Sequence, residues 1–145
     1  MKKFILILLS LSIIVTADTE FAEPEPTWEN PRQIVFSVTD DSPHALDHIL
    51  SVTNNVIKFY GASKVLVKIV AYSKGINLLV KKNSPTINKR VTALMQFDVE
   101  FIACRNTMKT YDIQESDLID GSIVVTAGVV ELLESVKSGW VYIKP

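Results

Sequence analysis

The apolar residues of this chain follow two alternating patterns, one typical of strands and the other of helices. Short runs rich in Val, Ile and Phe predict five strands, over residues 33–38, 64–71, 99–103, 122–126 and 140–143. Segments with apolar residues at helical spacing separate most of these runs. Because strands and helices alternate and the strands are almost continuously apolar, the pattern predicts an α/β fold. We expect a mainly parallel five-stranded sheet with helices on both faces.

Serine–proline pairs mark the starts of two predicted helices. The first begins with Asp41 or Ser42 as N-cap and Pro43 at the first helical position, and it ends at Gly61. The second begins at Ser84-Pro85. Shorter helical segments are predicted over residues 76–80 and 105–111, with a turn at 116–118 and a last helix over 129–136.

The first 17 residues resemble a secretory signal peptide. Lys2 and Lys3 precede an apolar stretch over residues 4–15, and Val15-Thr16-Ala17 resembles a cleavage site. The stretch is shorter than the roughly 20 residues that a membrane-spanning helix needs. We therefore predict cleavage after Ala17 and a periplasmic protein, with an uncleaved anchor as the alternative. Residues 18–31 are acidic and rich in proline and predict an extended leader, and residues 32–145 form the domain.

Composition narrows the range of partners. The chain is 48% hydrophobic with a net charge of −1, which favours a packed core. Its positive charges are scattered, so nucleic acid is not an expected partner, and we expect no membrane contact after cleavage of the signal. The chain lacks the glycine-rich motifs that bind dinucleotides or nucleotide phosphates, and we predict no cofactor.

Cys104 is the single cysteine of the chain and the first candidate for chemistry. It follows the predicted strand at 99–103 and precedes Arg105, so we expect it at the edge of the sheet, within reach of ligands. A neighbouring cation and the amides of a following helix both lower the pKa of a thiol. The alternative is a buried cysteine that packs as a small apolar side chain.

Other polar residues are expected near this cysteine or form sites of their own. The carboxyl ends of parallel strands lie at one edge of a sheet, so we expect a shared edge for Asp40, Asp41, Tyr72, Cys104 and Thr126. The two aspartates are candidate paired carboxylates, although capping of the helix explains them more simply.

Two histidines lie four residues apart on the first predicted helix. His44 and His48 have the spacing of metal ligands, and Cys104 is a conceivable third ligand. A partly exposed polar face at the start of the helix explains them more simply, and we predict no metal site.

The C-terminal half resembles the DsrE/DsrF-like family. Residues 101–108, Phe-Ile-Ala-Cys-Arg-Asn-Thr-Met, match the signature F-x-A-C-x-N-T-M, and residues 125–131 and 139–145 match the closing pattern of that family in the same order. The resemblance covers residues 33–145. It implies an α/β sandwich that assembles as a homo-oligomer such as a trimer or hexamer. It also implies that Cys104 carries sulfur and that Asn106 and Thr107 shape its loop.

These observations lead to one hypothesis and two alternatives. The hypothesis is a periplasmic protein that binds or relays sulfane sulfur as a persulfide on Cys104, supported by Arg105, Asn106 and Thr107. Its partners would be sulfur donor and acceptor proteins or small sulfur compounds, and its role would be carriage more than multi-turnover catalysis. The alternatives are an oligomeric binding module with a structural cysteine and a histidine-based metal-binding protein. One departure from the family is Tyr72, where relatives often carry a histidine.

Overall fold

Parallel strands form the centre of the protein. The computed structural model describes residues 19–145, and within them it has five strands: β1 (Arg32–Val38), β2 (Val65–Ala71), β3 (Glu100–Cys104), β4 (Ile123–Val125) and β5 (Val141–Ile143). They pair in the order β4-β3-β2-β1-β5, and each of these pairs is parallel. The predicted α/β class with its parallel five-stranded sheet is therefore confirmed. The predicted signal peptide, residues 1–17, lies outside the described residues.

Two of the helices begin at the predicted capping residues, and the first ends at the predicted glycine, Gly61. The described part of the chain has α1 (Pro43–Tyr60), α2 (Pro85–Met95), α3 (Arg105–Thr110) and α4 (Gly128–Lys137). Ser42 caps α1 by accepting a hydrogen bond from the Ala45 N–H at 3.3 Å, and Ser84 caps α2 in the same way. Ser42 is thus the N-cap, and the carboxylate of Asp40 accepts the Ser42 N–H at 3.0 Å.

The remaining helical turns are tighter than α-helices. They are 3₁₀ segments at Ala62–Lys64, Ser73–Leu79 and Glu115–Asp117. The segment Ser73–Leu79 lies against the end of β1, because a Cβ on Gly75 would come within 2.2 Å of the Val38 carbonyl oxygen. Only glycine permits this close approach to Val38. The contact holds the segment after β2 at the carboxyl edge of the sheet.

The two faces of the sheet are covered unequally. One face packs against α1, α2 and the 3₁₀ segment Ser73–Leu79 in a large core that includes Phe36, Ile69 and Phe101. The opposite face carries a small core of Val35, Val70 and Ile102, with Leu132 of α4 packed against it. The polar chemistry described below lies on this second face, which we call the α4 face.

The acidic, proline-rich segment before β1 runs along the end of α1. The Phe21 ring packs against the rings of Phe59 and Tyr60, at centroid distances of 5.4 and 5.7 Å. Pro26 is buried, whereas Trp28 is exposed. In the part of the chain that the structure describes, we find no helix with the length and apolar character needed to cross a membrane.

Candidate functional site

Cys104 ends β3 and begins α3. The residue is both the last residue of the strand and the N-cap of the helix, and only 6% of its surface is exposed. The sequence predicts a thiol just past the strand and open to ligands, but the structure keeps it inside the last strand pair, opposite Val125 of β4. Since strand residues alternate between faces, the side chain of Cys104 lies on the α4 face, beside Ile102 two residues earlier.

Thr107 supplies a hydroxyl to this site. Its Oγ1 accepts a hydrogen bond from the Ser73 N–H at 3.2 Å. A hydroxyl that accepts a hydrogen bond from an N–H keeps its own hydrogen free to donate elsewhere. The segment after β2 therefore orients Thr107 as a donor to Cys104. Ser73 itself has a φ of 50°, a backbone conformation that few residues other than glycine adopt.

Gly128 brings the N-terminus of α4 close to the same sulfur. A Cβ at this position would lie 3.3 Å from the Cβ of Cys104, 3.1 Å from Val70 Cγ1 and 3.4 Å from the Cβ of Tyr72. Any larger residue would push the helix away. The missing side chain therefore lets the backbone N–H of Gly128 approach Cys104, as glycine does where a backbone must come near a ligand.

These donors lower the pKa of Cys104. Burial is the largest single influence and raises the pKa of the thiol, but four smaller contributions, led by the Thr107 hydroxyl and the Gly128 N–H, together outweigh it. The backbone N–H groups of Thr107 and Asn106 add to this effect, so the pKa lies below its ordinary value. Among the described residues, the Cys104 side chain makes no capping hydrogen bond to α3. Such donors lower the pKa of a thiol because the ionised sulfur attracts N–H and O–H groups far more strongly than the neutral thiol does.

The residues beside Cys104 have different surroundings. The backbone N–H of Asn106 lies near the sulfur and also donates to the Thr126 carbonyl at 3.3 Å. The guanidinium of Arg105 forms an ion pair with Glu115 at 2.7 Å. Arg105 is therefore paired with Glu115, and stabilisation of the Cys104 anion by Arg105 stays a prediction.

The strand-end residues gather at one edge, as the topology requires. The Tyr72 N–H donates to the Val38 carbonyl at 3.2 Å, and Asn77 reaches the carboxylate of Asp41 at 3.0 Å. Asp40 serves the cap of α1, and its hydrogen bonds with Ser42 hold the pKa of that carboxyl below its usual value.

The two histidines of α1 lie apart from the cysteine. The rings of His44 and His48 stack at a centroid distance of 5.8 Å on an exposed helix face. Within residues 19–145, no three side chains of His, Cys, Asp or Glu gather into a set that could hold a metal ion.

A charged cluster on the α4 face was missed by sequence reasoning. Lys68 of β2 donates to the carboxylate of Glu131 on α4 at 3.1 Å and lies 3.9 Å from that of Glu100. Its ammonium also lies 4.7 Å from the centre of the Trp140 ring. The available signal was a lysine between apolar residues of a central strand, which indicates a charge with a partner.

The comparisons with known proteins agree with the fold. The model of the DsrE/DsrF-like family matches residues 34–145. The chain belongs to the DsrE/DsrF-like family. The predicted membership is thus confirmed, and it implies a role related to sulfur relay. No curated protein matches the chain at a significant level.

Two solved structures share the fold of this DsrE/DsrF-like chain. The protein of unknown function MTH1491 from Methanobacterium thermoautotrophicum is 29% identical, with a TM-score of 0.74. The YchN protein from E. coli is 16% identical, with a TM-score of 0.64, and shows the fold alone. Both alignments cover 79% of this chain and 99% of the other.

Proposed function

We propose that this protein carries sulfane sulfur as a persulfide on Cys104. The observation that carries the proposal is the set of hydrogen-bond donors around a single cysteine, which lower the pKa of its thiol. The thiolate is the nucleophilic form of cysteine, and it is the form that attacks sulfur–sulfur bonds. Membership in a family related to sulfur relay supports the same chemistry.

The loading step is a displacement at sulfur. The Cys104 thiolate attacks the outer sulfur of a donor such as thiosulfate, a new S–S bond forms, and the S–S bond of the donor breaks. Sulfite leaves with the electron pair, or a shortened polysulfide leaves when the donor is a polysulfide. In the unloading step, an acceptor thiolate attacks the outer sulfur of the persulfide and releases Cys104 as a thiolate. No net oxidant is needed in either step.

The mass of the intact protein tests this proposal. Wild-type protein and the Cys104→Ser variant are incubated with thiosulfate or with polysulfide and then weighed by mass spectrometry. We expect a gain of one or more sulfur atoms on the wild type alone, reversed by a reducing thiol. Equal gain on both proteins, or no gain on the wild type, would overturn the proposal.

The partners and location belong to the same proposal. Donor and acceptor are sulfur-bearing proteins or small sulfur compounds, and the signal-like residues 1–17 support a periplasmic location. The exposed side of α4 supports a homo-oligomer. Val129, Val130, Leu133 and Val136 are all exposed there. Such apolar surface favours contact with another protein chain.

The small exposure of Cys104 favours a second candidate, the oligomeric binding module. In that protein the thiol only packs, and the apolar side of α4 performs the binding. The two candidates differ in the reaction of the native thiol. A sulfur carrier gains mass before denaturation, whereas a structural cysteine reacts with an alkylating reagent only after the protein is unfolded.

A further inference from the structure

The ion pair between Lys68 and Glu131 lies along the same helix face as Gly128. Residues three apart on an α-helix lie on one face, about 4.5 Å apart along the axis. Gly128 faces Cys104 and Val70 at the start of α4, and Glu131 faces Lys68 one turn later. Val70 and Lys68 are likewise neighbours on one face of β2. The helix is thus joined to β2 at two successive points.

The ion pair is shielded and belongs to a small network. The side chains of Lys68 and Glu131 are only 18% and 24% exposed. Glu131 also accepts a hydrogen bond from the Ser135 hydroxyl at 3.3 Å, and the carbonyl of Ser135 accepts the Trp140 N–H at 3.0 Å. The Trp140 ring lies against the Lys68 ammonium. An ion pair with this shielding and these extra contacts holds its geometry better than an exposed pair does.

We propose that Lys68 and Glu131 are positioning residues that hold the N-terminus of α4 against Cys104. Among the described residues, the carboxylates near Lys68 are Glu131 of α4 and Glu100 of β3, and Lys68 is not among the groups that shift the pKa of Cys104. The pair acts through Gly128, whose N–H reaches Cys104 only while the first turn of α4 stays in place. The inference rests on the proposed function only in that the Cys104 thiolate is the reactive group.

Two single substitutions distinguish positioning from a plain charge effect. Lys68→Met removes a positive charge, and by Coulomb's law alone it would raise the pKa of Cys104. Glu131→Gln removes a negative charge, and by the same law it would lower that pKa. If the pair positions α4, both substitutions loosen the helix and both raise the pKa. The two explanations therefore predict opposite signs for Glu131→Gln.

The measurement is the ultraviolet absorbance of the thiolate as a function of pH, with Cys104→Ser subtracted as the blank. At a pH below the midpoint we expect both variants to lose about threefold in thiolate fraction, since a displaced donor gives up part of the stabilisation of a charged acceptor. Lys68→Arg keeps the charge and the reach, so it should retain most of the thiolate. Lys81→Met breaks an exposed ion pair with Asp120 elsewhere and is the matched control.

The outcomes are decisive in either direction. A lower pKa in Glu131→Gln, or no change in both variants, overturns the positioning role. If Lys68→Met fails to fold, Glu131→Gln still decides by the sign of its shift, because glutamine keeps the size of the side chain. The absorbance requires no sulfur donor. A wild-type protein that gains no mass with thiosulfate or with polysulfide would therefore refute the carrier proposal and leave this inference standing.

Discussion

The hydroxyl of Thr107 gives the sharpest test of how the fold activates Cys104. Thr107→Val replaces the hydroxyl with a methyl group of similar size and removes one donor from the thiolate. The Ser73 N–H loses its acceptor, but Ser73 is exposed and water can replace that contact. The substitution therefore acts mainly on the ionised sulfur, whose pKa the hydroxyl lowers.

The size of the effect follows from the energy of one hydrogen bond. A hydrogen bond to a charged group contributes about 1.5–3 kcal/mol. We take the lower end, because the N–H groups of Gly128 and of α3 remain beside the sulfur. Since about 1.4 kcal/mol corresponds to a factor of ten, the thiolate fraction of Thr107→Val should fall about tenfold at a pH below the midpoint.

Thiolate absorbance against pH measures this change, and Thr110→Val is the matched control. Thr110 lies on the same short helix, and its hydroxyl donates to the Asn106 carbonyl at 3.0 Å. That variant should keep the wild-type titration, and Thr107→Ser should recover most of it because the hydroxyl remains. The reasoning is refuted if Thr107→Val titrates like the wild type, or if the two valine variants shift equally.

Three further predictions follow from the same structure. Gly128→Ala should lower the free energy of unfolding in urea by about 1 kcal/mol and also lower the thiolate fraction, because its methyl group would lie 3.3 Å from the Cβ of Cys104. Gly61→Ala is the control: nothing lies within 4 Å of its methyl group, so it should change stability alone. The pKa of Cys104 is lower in the folded protein than in the unfolded chain, where it is near 8.5. The ionised thiol therefore stabilises the folded protein fully above the unfolded pKa, and this stabilisation disappears as pH falls through the folded pKa. Unfolding free energy of the wild type should therefore rise with pH in that window relative to Cys104→Ser, and parallel curves would contradict this. If the proposed homo-oligomer forms through the exposed side of α4, Leu133→Glu should reduce the molar mass measured by light scattering, and an unchanged molar mass would exclude that side as the contact.

The order of elements was predictable because its signals are local. Ser42 and Ser84 cap helices that begin with proline, and Gly61 ends α1, as the sequence predicts. Each signal depends on neighbours within a few residues. The apolar strands likewise predicted a parallel sheet. Their order, with β5 beside β1, depends on contacts between distant segments and could not be predicted from the sequence.

The surroundings of Cys104 were only partly predictable for the same reason. A strand that ends at a cysteine and opens into a helix is visible in the sequence, and so is the nearby Thr107. The approach of Gly128 is not visible, because it joins residues 24 positions apart through the packing of α4. The direction of the Arg105 side chain depends on Glu115, which lies ten residues later in the 3₁₀ segment Glu115–Asp117. Side-chain direction is therefore the part that the sequence leaves open.

The shielding of Cys104 and its lowered pKa are both compatible with the proposed sulfur carrier. A thiolate that is open to solvent reacts with oxidants and is lost to irreversible oxidation. Cys104 is 6% exposed, which limits the access of large reagents, while the nearby N–H and O–H donors hold its pKa below the ordinary value. In the proposed loading step, a small anion such as thiosulfate would meet the Thr107 hydroxyl and the N–H groups of Gly128, Thr107 and Asn106 near the sulfur. A buried thiol in purely apolar surroundings has a raised pKa and is inert. The donors around Cys104 lower its pKa instead, which distinguishes it from a cysteine that only packs.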